Sequence, residues 1–180
     1  MIVPGVFFSV PVRLKFSTSP SEIRRMISEN QSLRRYNHLM SEIDSVYHRM
    51  SVSLGLTDST SQILYTLLCE NGAAPLTHIA SLTGMSRQTL HSALQKLQRE
   101  GCLVLEAVDG KSKQARLTKC GEAYAGETAA KIMKAENTVY DSWSEDDVRT
   151  YLALTDRFLR DLKHQADLID HGTDMHSSDT

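Results

Sequence analysis

The sequence predicts a mainly α-helical fold with one small β-hairpin, and three observations lead to this expectation. Apolar residues recur at gaps of three and four over residues 33–54, which is the spacing of one face of a long helix. A second apolar series with helical spacing covers residues 148–169. Between these two series, Asp109 and Gly110 separate two short β-like runs, a pattern typical of a hairpin.

Length and composition are those of an ordinary globular chain. Its 180 residues suit one domain or two small ones, and 41% hydrophobic with 23% charged residues argues against a disordered or membrane-embedded protein. The three cysteines form no CxxC pair and are odd in number, which does not suit a disulfide framework. We therefore expect a cytoplasmic protein without a membrane span.

The charge is distributed unevenly along the chain, although the net charge is only −2. Residues 76–120 contain 7 Lys and Arg against 3 Asp and Glu, whereas residues 121–180 contain 6 against 13. Residues 1–75 are close to neutral, with 7 against 6. A basic middle segment on an acidic scaffold is typical of a nucleic-acid-binding module.

The N-terminal segment, residues 1–25, is apolar but does not have the order of a secretory signal. Its cations, Arg13 and Lys15, follow the apolar run, whereas a signal peptide has them in front. Three interpretations remain open: an arm that packs on the body, a disordered leader, or a start-site artefact with translation from Met26.

The first four helices follow from their spacing and their caps. The first covers residues 33–54 and ends at Gly55, and residues 56–59 supply caps for a second helix from Gln62 to Glu70. A short third helix, His78 to Leu82, is followed by a tight turn, after which Ser86 caps a fourth helix that ends at Glu100.

The remaining elements are a hairpin and two long helices. The strands are predicted over residues 103–107 and 114–117. A fifth helix is expected from Thr118 to about Tyr140, and a sixth from the acidic cap at Ser144 to about Ile169. The polar tail, residues 172–180, is predicted to be disordered.

Residues 77–101 combine a helix, a glycine-containing turn and a second helix. One face of the second helix is leucine-rich, and the opposite face carries amides, hydroxyls and cations with no acid before Glu100. Base edges and phosphates accept hydrogen bonds from such donors. Together with the basic hairpin, this predicts a winged helix-turn-helix, whose second helix enters the major groove of DNA. The residues predicted to bind DNA are Ser86, Arg87, Gln88, Thr89, Ser92, Lys96, Lys111, Lys113 and Arg116.

Two other interpretations account for part of the same pattern. Polar residues opposite a leucine stripe also occur on the solvated face of any helical protein. A winged helix can also serve as a protein-interaction module without DNA binding, which would be favoured if another chain covered the face of Arg87, Gln88, Ser92 and Lys96. The basic hairpin and the local excess of cations favour DNA binding instead.

Residues 55–124 resemble the MarR family of bacterial transcriptional regulators, and the resemblance extends in order and spacing over about residues 33–165. It rests on short motifs at corresponding places. These are Gly55-Leu56-Thr57, the leucine-rich residues 63–68, Ile79-Ala80 with Gly84, residues 97–101, Asp109-Gly110-Lys111, and Leu117-Thr118 with Gly121.

The resemblance implies an obligate homodimer that holds two winged helices over a pseudo-palindromic operator, with the first, fifth and sixth helices interlocked. Repression is the commoner activity in the family, and many members bind small aromatic or anionic effectors. Tyr36, Met40, Tyr47 and Tyr65 would line such an effector pocket, although their spacing equally suits core residues.

Several positions depart from the family pattern. Ser92 stands where members often have an arginine, and Gly110 and Lys111 replace the paired arginines of the wing. Because lysine lacks the planar fork of arginine, we expect the wing to hold phosphate. The first helix has no cysteine of the hydroperoxide-sensing branch, and residues 121–163 have no histidine of the zinc-sensing branch.

No sequence motif indicates an enzyme, a cofactor or a metal site. The chain has no HExxH, nucleophile elbow or phosphate loop, and the spacing of its C-terminal histidines matches no metal motif. Three cysteines have apolar neighbours and are predicted to be small core residues: Cys69, Cys102 and Cys120. Of these, only Cys120, beside Lys119, would suit a redox switch.

The sequence therefore predicts a dimeric, sequence-specific transcriptional regulator of double-stranded DNA. The expected organisation places an arm or leader at residues 1–25, dimerisation helices at 26–55 and 121–171, and the winged helix at 56–120. The disordered tail is expected at residues 172–180.

Overall fold

The computed structural model of the protein describes residues 19, 21–22, 31–109 and 112–174. Its elements are α1 (Gln31–Ser53), α2 (Asp58–Cys69), β1 (Ala73–Pro75), α3 (Leu76–Thr83), α4 (Arg87–Arg99), β2 (Leu103–Asp109), β3 (Ser112–Leu117), α5 (Lys119–Glu127), α6 (Ala129–Asp141) and α7 (Glu145–Asp174). This mainly helical winged-helix fold with a small sheet confirms the predicted class. Apart from Ser19, Ser21 and Glu22, the predicted N-terminal arm lies outside the described residues, as does the tail from residue 175.

The chain divides into two compact units, residues 1–133 and 134–180. The first unit contains α1 to α5 with the sheet and the beginning of α6. The second contains the remainder of α6 and the 30-residue helix α7.

The core of the first unit is formed by α2, α3, α4 and the inner face of the sheet. Ile63, Leu64 and Leu67 on α2 and Leu94 and Leu97 on α4 are almost completely buried. Each of these helices has its apolar residues at helical spacing on one side, so packing those sides together removes the largest apolar surfaces from water. The outer side of α4 is thereby left to solvent.

The sheet is antiparallel, with β3 between β1 and β2. The short strand β1 was not predicted, and it places Ala74 opposite Ala115 and Pro75 opposite Gln114. Three residues ending in proline carry no alternating pattern, and a proline is accepted here because β1 is an edge strand. Strand β1 is stabilised by its pairing with β3, a tertiary contact that local sequence patterns do not predict.

The helix boundaries differ from those predicted at three main places. Helix α7 continues to Asp174, past the predicted end at about Ile169, so the prediction of a disordered tail is wrong for residues 172–174, which are helical. Helix α2 begins at Asp58, four residues earlier, because Thr57 and Thr60 form a reciprocal capping box. The predicted helix from Thr118 to Tyr140 is two helices, α5 and α6, separated at Thr128. The buried Thr128 hydroxyl donates to the Tyr124 carbonyl at 2.6 Å, in the manner of side chains that bend helices.

Candidate nucleic-acid interface

The turn between α3 and α4 is set by a glycine and a serine. Gly84 ends α3 in the left-handed region at φ 65°, and its N–H donates to the Ala80 carbonyl at 2.9 Å. Two residues later Ser86 begins α4 as its N-cap, as the sequence predicted. Met85, between them, is buried, so the turn is held against the core.

The hydroxyls of Ser86 and Thr89 stabilise the beginning of α4. Ser86 Oγ accepts the Thr89 N–H at 3.1 Å and lies 2.8 Å from Thr89 Oγ1. These two predicted DNA-binding residues therefore form the cap of the helix. The N-terminal end of α4 remains exposed, and helix N-termini attract phosphate through their N–H groups and their dipole.

Helix α4 separates its residues into a buried and an exposed side, as predicted. The buried side consists of Leu90, Ala93, Leu94 and Leu97. Arg87, Gln88 and Ser92 are exposed, whereas Lys96 is half-buried. No acid occurs between Ser86 and Arg99, so the exposed side is positively charged and rich in donors.

Four further exposed residues on α4 were not among those predicted to bind DNA: His91, Gln95, Gln98 and Arg99. Gln95 and Arg99 continue the line of Gln88 and Ser92 at gaps of three and four residues, so helical spacing alone could have included them. A cleft of about 400 Å³ is lined by Gln95, Gln98 and Arg99.

The wing is the hairpin of β2 and β3. Its ladder pairs Ala107 with Lys113 and Asp109 with Ser112, so a bulge lies between Ala107 and Asp109. Lys113 is exposed. Lys111, the other predicted lysine of the wing, lies outside the described residues.

The outer face of the wing holds an ion pair that sequence reasoning missed. Glu106 Oε2 accepts the Arg116 Nε–H at 3.0 Å and the Gln114 amide at 2.8 Å. The hydrogen bond from Gln114, followed by the one from Arg116, lowers the pKa of Glu106. The predicted DNA-binding residue Arg116 is therefore attached to an acidic neighbour at its Nε atom.

Thr118 connects three elements at the base of the wing. Its N–H donates to the Cys102 carbonyl at 3.0 Å, and its hydroxyl donates to the Gly101 carbonyl at 2.6 Å. The same hydroxyl accepts the Gly121 N–H at 3.0 Å and so caps α5, as predicted. The end of α4, the beginning of β2 and the beginning of α5 meet at this residue.

The prediction that all three cysteines are core residues is wrong for two of them. Cys102 is buried, but Cys69 and Cys120 are exposed. Cys69 is the last residue of α2 and Cys120 lies in the first turn of α5, so both fall on helix surfaces despite their apolar neighbours. Burial, with smaller effects from Cys120 and Glu100, raises the pKa of the Cys102 thiol.

The four residues predicted to line an effector pocket are divided between two helices of the first unit. Tyr36, Met40 and Tyr47 share one side of α1, where Tyr36 is exposed and the other two are half-buried. Tyr65 on α2 is half-buried against the core cluster. Their assignment to an effector stays a prediction.

The second unit contains an aromatic cluster. Trp143 stacks on Tyr140 with ring centroids 5.5 Å apart and meets Tyr151 edge-on at 5.4 Å. An adjoining cleft of about 510 Å³ is lined by Tyr140, Asp141, Trp143, Glu145, Val148, Arg149 and Leu152. Among the described residues, no three His, Cys, Asp or Glu side chains are grouped to hold a metal ion, and no helix has the length and apolarity to cross a bilayer.

Comparison with known proteins gives matches at the level of both sequence and fold. Residues 54–114 match the model of the MarR family. A solved MarR family transcription regulator is 25% identical, with 80% of this chain and 98% of that chain covered and a TM-score of 0.59. A MarR family regulator from Neisseria meningitidis is 20% identical, with 81% and 99% covered and a TM-score of 0.60. The MepR protein of S. aureus, solved as a complex with DNA, is 18% identical, with 75% and 98% covered and a TM-score of 0.56.

Among curated protein sequences, none matches the chain significantly. The family match therefore rests on the winged helix, and the solved structures extend the shared fold over most of the chain. Residues 54–114 are therefore similar to the MarR family, and the chain has the winged-helix fold of solved MarR family transcriptional regulators.

Proposed function

We propose that this protein is a transcriptional regulator that reads duplex DNA with α4 and holds the flanking backbone with its wing. The observation that carries the proposal is the exposed side of α4. It combines cations, amides and hydroxyls without an acid over fourteen consecutive residues, 86–99. Base edges and phosphates accept hydrogen bonds from this set of groups, and a relative with the same fold has been solved with DNA.

The residues divide into two roles according to their chemistry. Arg87, Gln88 and Ser92 lie in the first half of α4, the part of a recognition helix that reaches base edges. Lys113 on the wing and Lys96 on α4 are point charges, which suit phosphate. Ser86 and Thr89 support the contact by fixing the beginning of the helix.

We infer that the functional unit is a homodimer. Leu39, Ile43 and Val46 on α1 and Leu159 and Leu162 on α7 are between 40% and 53% exposed. A row of exposed apolar side chains along a helix, present here on each of the two helices, is unusual on a monomer. Covering it with a second copy would also present two α4 helices to a two-fold symmetric operator.

A dimer on an operator excludes other proteins from the same DNA, so we propose repression as its activity. Release by a small aromatic or anionic molecule would require a site that responds to it. The tyrosines and the methionine of α1, with Tyr65, are the residues we propose for that site.

The test begins by selecting bound sites from random duplex DNA. Affinity is then measured against salt concentration for the selected site and for random DNA. Arg87→Ala or Gln88→Ala should weaken binding to the selected site by about 1–3 kcal/mol and affect random DNA much less. Lys113→Ala with Lys111→Ala should weaken both and lower the salt slope by about one unit for each phosphate that is no longer bound.

A matched control is Lys131→Ala, which removes a cation from α6 that is paired with Glu127. It should leave the slope and the sequence preference unchanged. If the wing variant changed sequence preference and the α4 variants did not, the two roles would be reversed. If the unmodified chain failed to bind duplex DNA at low salt, the interaction-module alternative would replace this proposal.

A further inference from the structure

The outer face of the wing carries one arginine whose side chain is held at a single atom. Arg116 lies on β3 opposite Val104 of β2, and Gln114 lies opposite Glu106, so all four side chains share the face away from the core. The ion pair joins Arg116 Nε to Glu106 Oε2, and its side chains remain 48% and 38% exposed. Among the described cations of α4 and the wing, Arg116 alone forms an ion pair.

The contact with Glu106 determines which N–H groups of the Arg116 guanidinium remain available to bind an anion. A guanidinium has five N–H donors in a rigid fork, and the contact with Glu106 uses the Nε–H. The two terminal nitrogens, Nη1 and Nη2, form the edge that matches the oxygens of a phosphate. A carboxylate on Nε therefore fixes the orientation of the plane without occupying the edge that binds an anion.

The acceptor itself is also fixed. The same Oε2 atom of Glu106 accepts the Gln114 amide at 2.8 Å, and Gln114 lies opposite Glu106 and two residues before Arg116 on β3. The carboxylate is charged at neutral pH, as an ordinary glutamate is, and the hydrogen bonds from Gln114 and Arg116 lower its pKa further. An ion pair this exposed contributes little to folding stability, so its main effect is on the position of the arginine.

On these grounds we propose that Glu106 is a positioning residue for DNA binding, which holds Arg116 by its Nε so that the Nη edge is presented to a backbone phosphate. The inference rests on the proposed function and adds to it a residue with negative charge. Orienting a long side chain before binding removes part of the entropic cost of ordering it in the complex. Against this acts the repulsion between the carboxylate and the DNA, which salt screens over about 8 Å at physiological ionic strength.

Four single variants separate orientation from charge. Glu106→Ala removes the support, whereas Glu106→Gln retains a carbonyl oxygen that can accept the Nε–H. Arg116→Ala removes the contact, and Arg116→Lys keeps the charge but loses the fork. We expect Glu106→Ala and Arg116→Lys each to weaken binding about two- to tenfold, and Glu106→Gln to retain the affinity of the unmodified chain.

Arg116→Ala should lower the salt slope by about one unit per wing. In that background Glu106→Ala should have no further weakening effect, because its target is gone. Glu122→Gln on α5 is the control for removing one negative charge, and it should not weaken binding. All variants are compared by thermal unfolding, where we expect changes too small to account for the loss of affinity.

Tighter binding by Glu106→Ala would show that charge repulsion dominates and would overturn the proposal. Equal affinity of Arg116→Lys and the unmodified chain would also overturn it. A measurement without DNA gives a separate test: the Arg116 Nε–H resonance should exchange slowly with water in the unmodified chain and rapidly in Glu106→Ala. Failure of the unmodified chain to bind DNA would reject the proposed function, whereas binding that is unaffected by Arg116→Ala would reject only the role of Glu106.

Discussion

The winged helix and the two long helices, α1 and α7, use the same kind of apolar pattern with opposite results. Leu94 and Leu97 on α4 are 2% and 0% exposed, whereas Leu159 and Leu162 on α7 are 48% and 53% exposed. Both pairs lie three residues apart on one side of a helix. The spacing thus predicts which residues share a side of the helix, and it does not say which chain covers that side.

The difference also separates two sources of stability. The side chains of α4 pack on α2, α3 and the sheet of the same chain, so the core of the winged helix is complete in one copy. The apolar sides of α1 and α7 would gain their stabilisation only on association, and that gain depends on protein concentration. Three experiments test this contrast. Two of them use substitutions, of glycines and of leucines, and the third measures the chemical accessibility of the cysteines.

The largest effect is expected for Gly121→Ala, at the junction of α5 with the winged helix. A Cβ atom at this position would overlap the carbonyl oxygen of Cys102, which is backbone and cannot rotate away. We expect unfolding stability to fall by about 3 kcal/mol or more, measured by thermal and denaturant unfolding.

The matched control is Gly126→Ala on the same helix, because a Cβ there would have no neighbour within 4 Å. This change should leave stability unchanged or raise it by about 0.5–1 kcal/mol, the usual gain from replacing a helical glycine. Equal effects of the two substitutions would contradict the close approach of α5 to Cys102.

The next prediction compares Leu94, in the core of the winged helix, with Leu159, on the exposed side of α7. Leu94→Ala should lower unfolding stability by about 2–5 kcal/mol at every protein concentration, because it opens a cavity in a complete core. Leu159→Ala should mainly raise the dissociation constant of the proposed dimer, which sedimentation equilibrium measures. If Leu159→Ala affected neither assembly nor stability at any concentration, the exposed side of α7 would not be an interface.

The smallest perturbation is chemical labelling of the thiols in the native protein. Cys120 is exposed, whereas burial both shields Cys102 and raises its pKa, which lowers the fraction of reactive thiolate. We expect Cys120 to react with a thiol reagent at least roughly tenfold faster near neutral pH. Cys102 should become reactive only when denaturant opens the core, as mass spectrometry of the labelled peptides would show.

Local signals in the sequence were sufficient for much of the fold. Ser86, Thr118 and Ser144 are caps in the structure as predicted, because an N-cap bond involves residues only three positions apart. The hairpin strands were found for the same reason, since the two strands are close in the chain. Such features depend on few residues, all close in the chain.

Features that depend on distant residues could not be predicted in this way. Strand β1 requires the partner strand β3, about forty residues later in the chain. The pair of Glu106 with Arg116 requires the register of the hairpin, including its bulge. The exposure of Cys69 and Cys120 depends on which elements cover each helix, a fact that their immediate neighbours do not contain.

The hydrogen bonds of Thr118 have a mechanical consequence. They fasten the end of α4, the base of the wing and the beginning of α5 at one point, so these elements form a single stiff body. A displacement of α5 would turn α4 and the wing together rather than bend one against the other. In the proposed dimer, a signal that weakens DNA binding would then change the distance and the angle between the two winged helices. The internal geometry of each winged helix would stay the same.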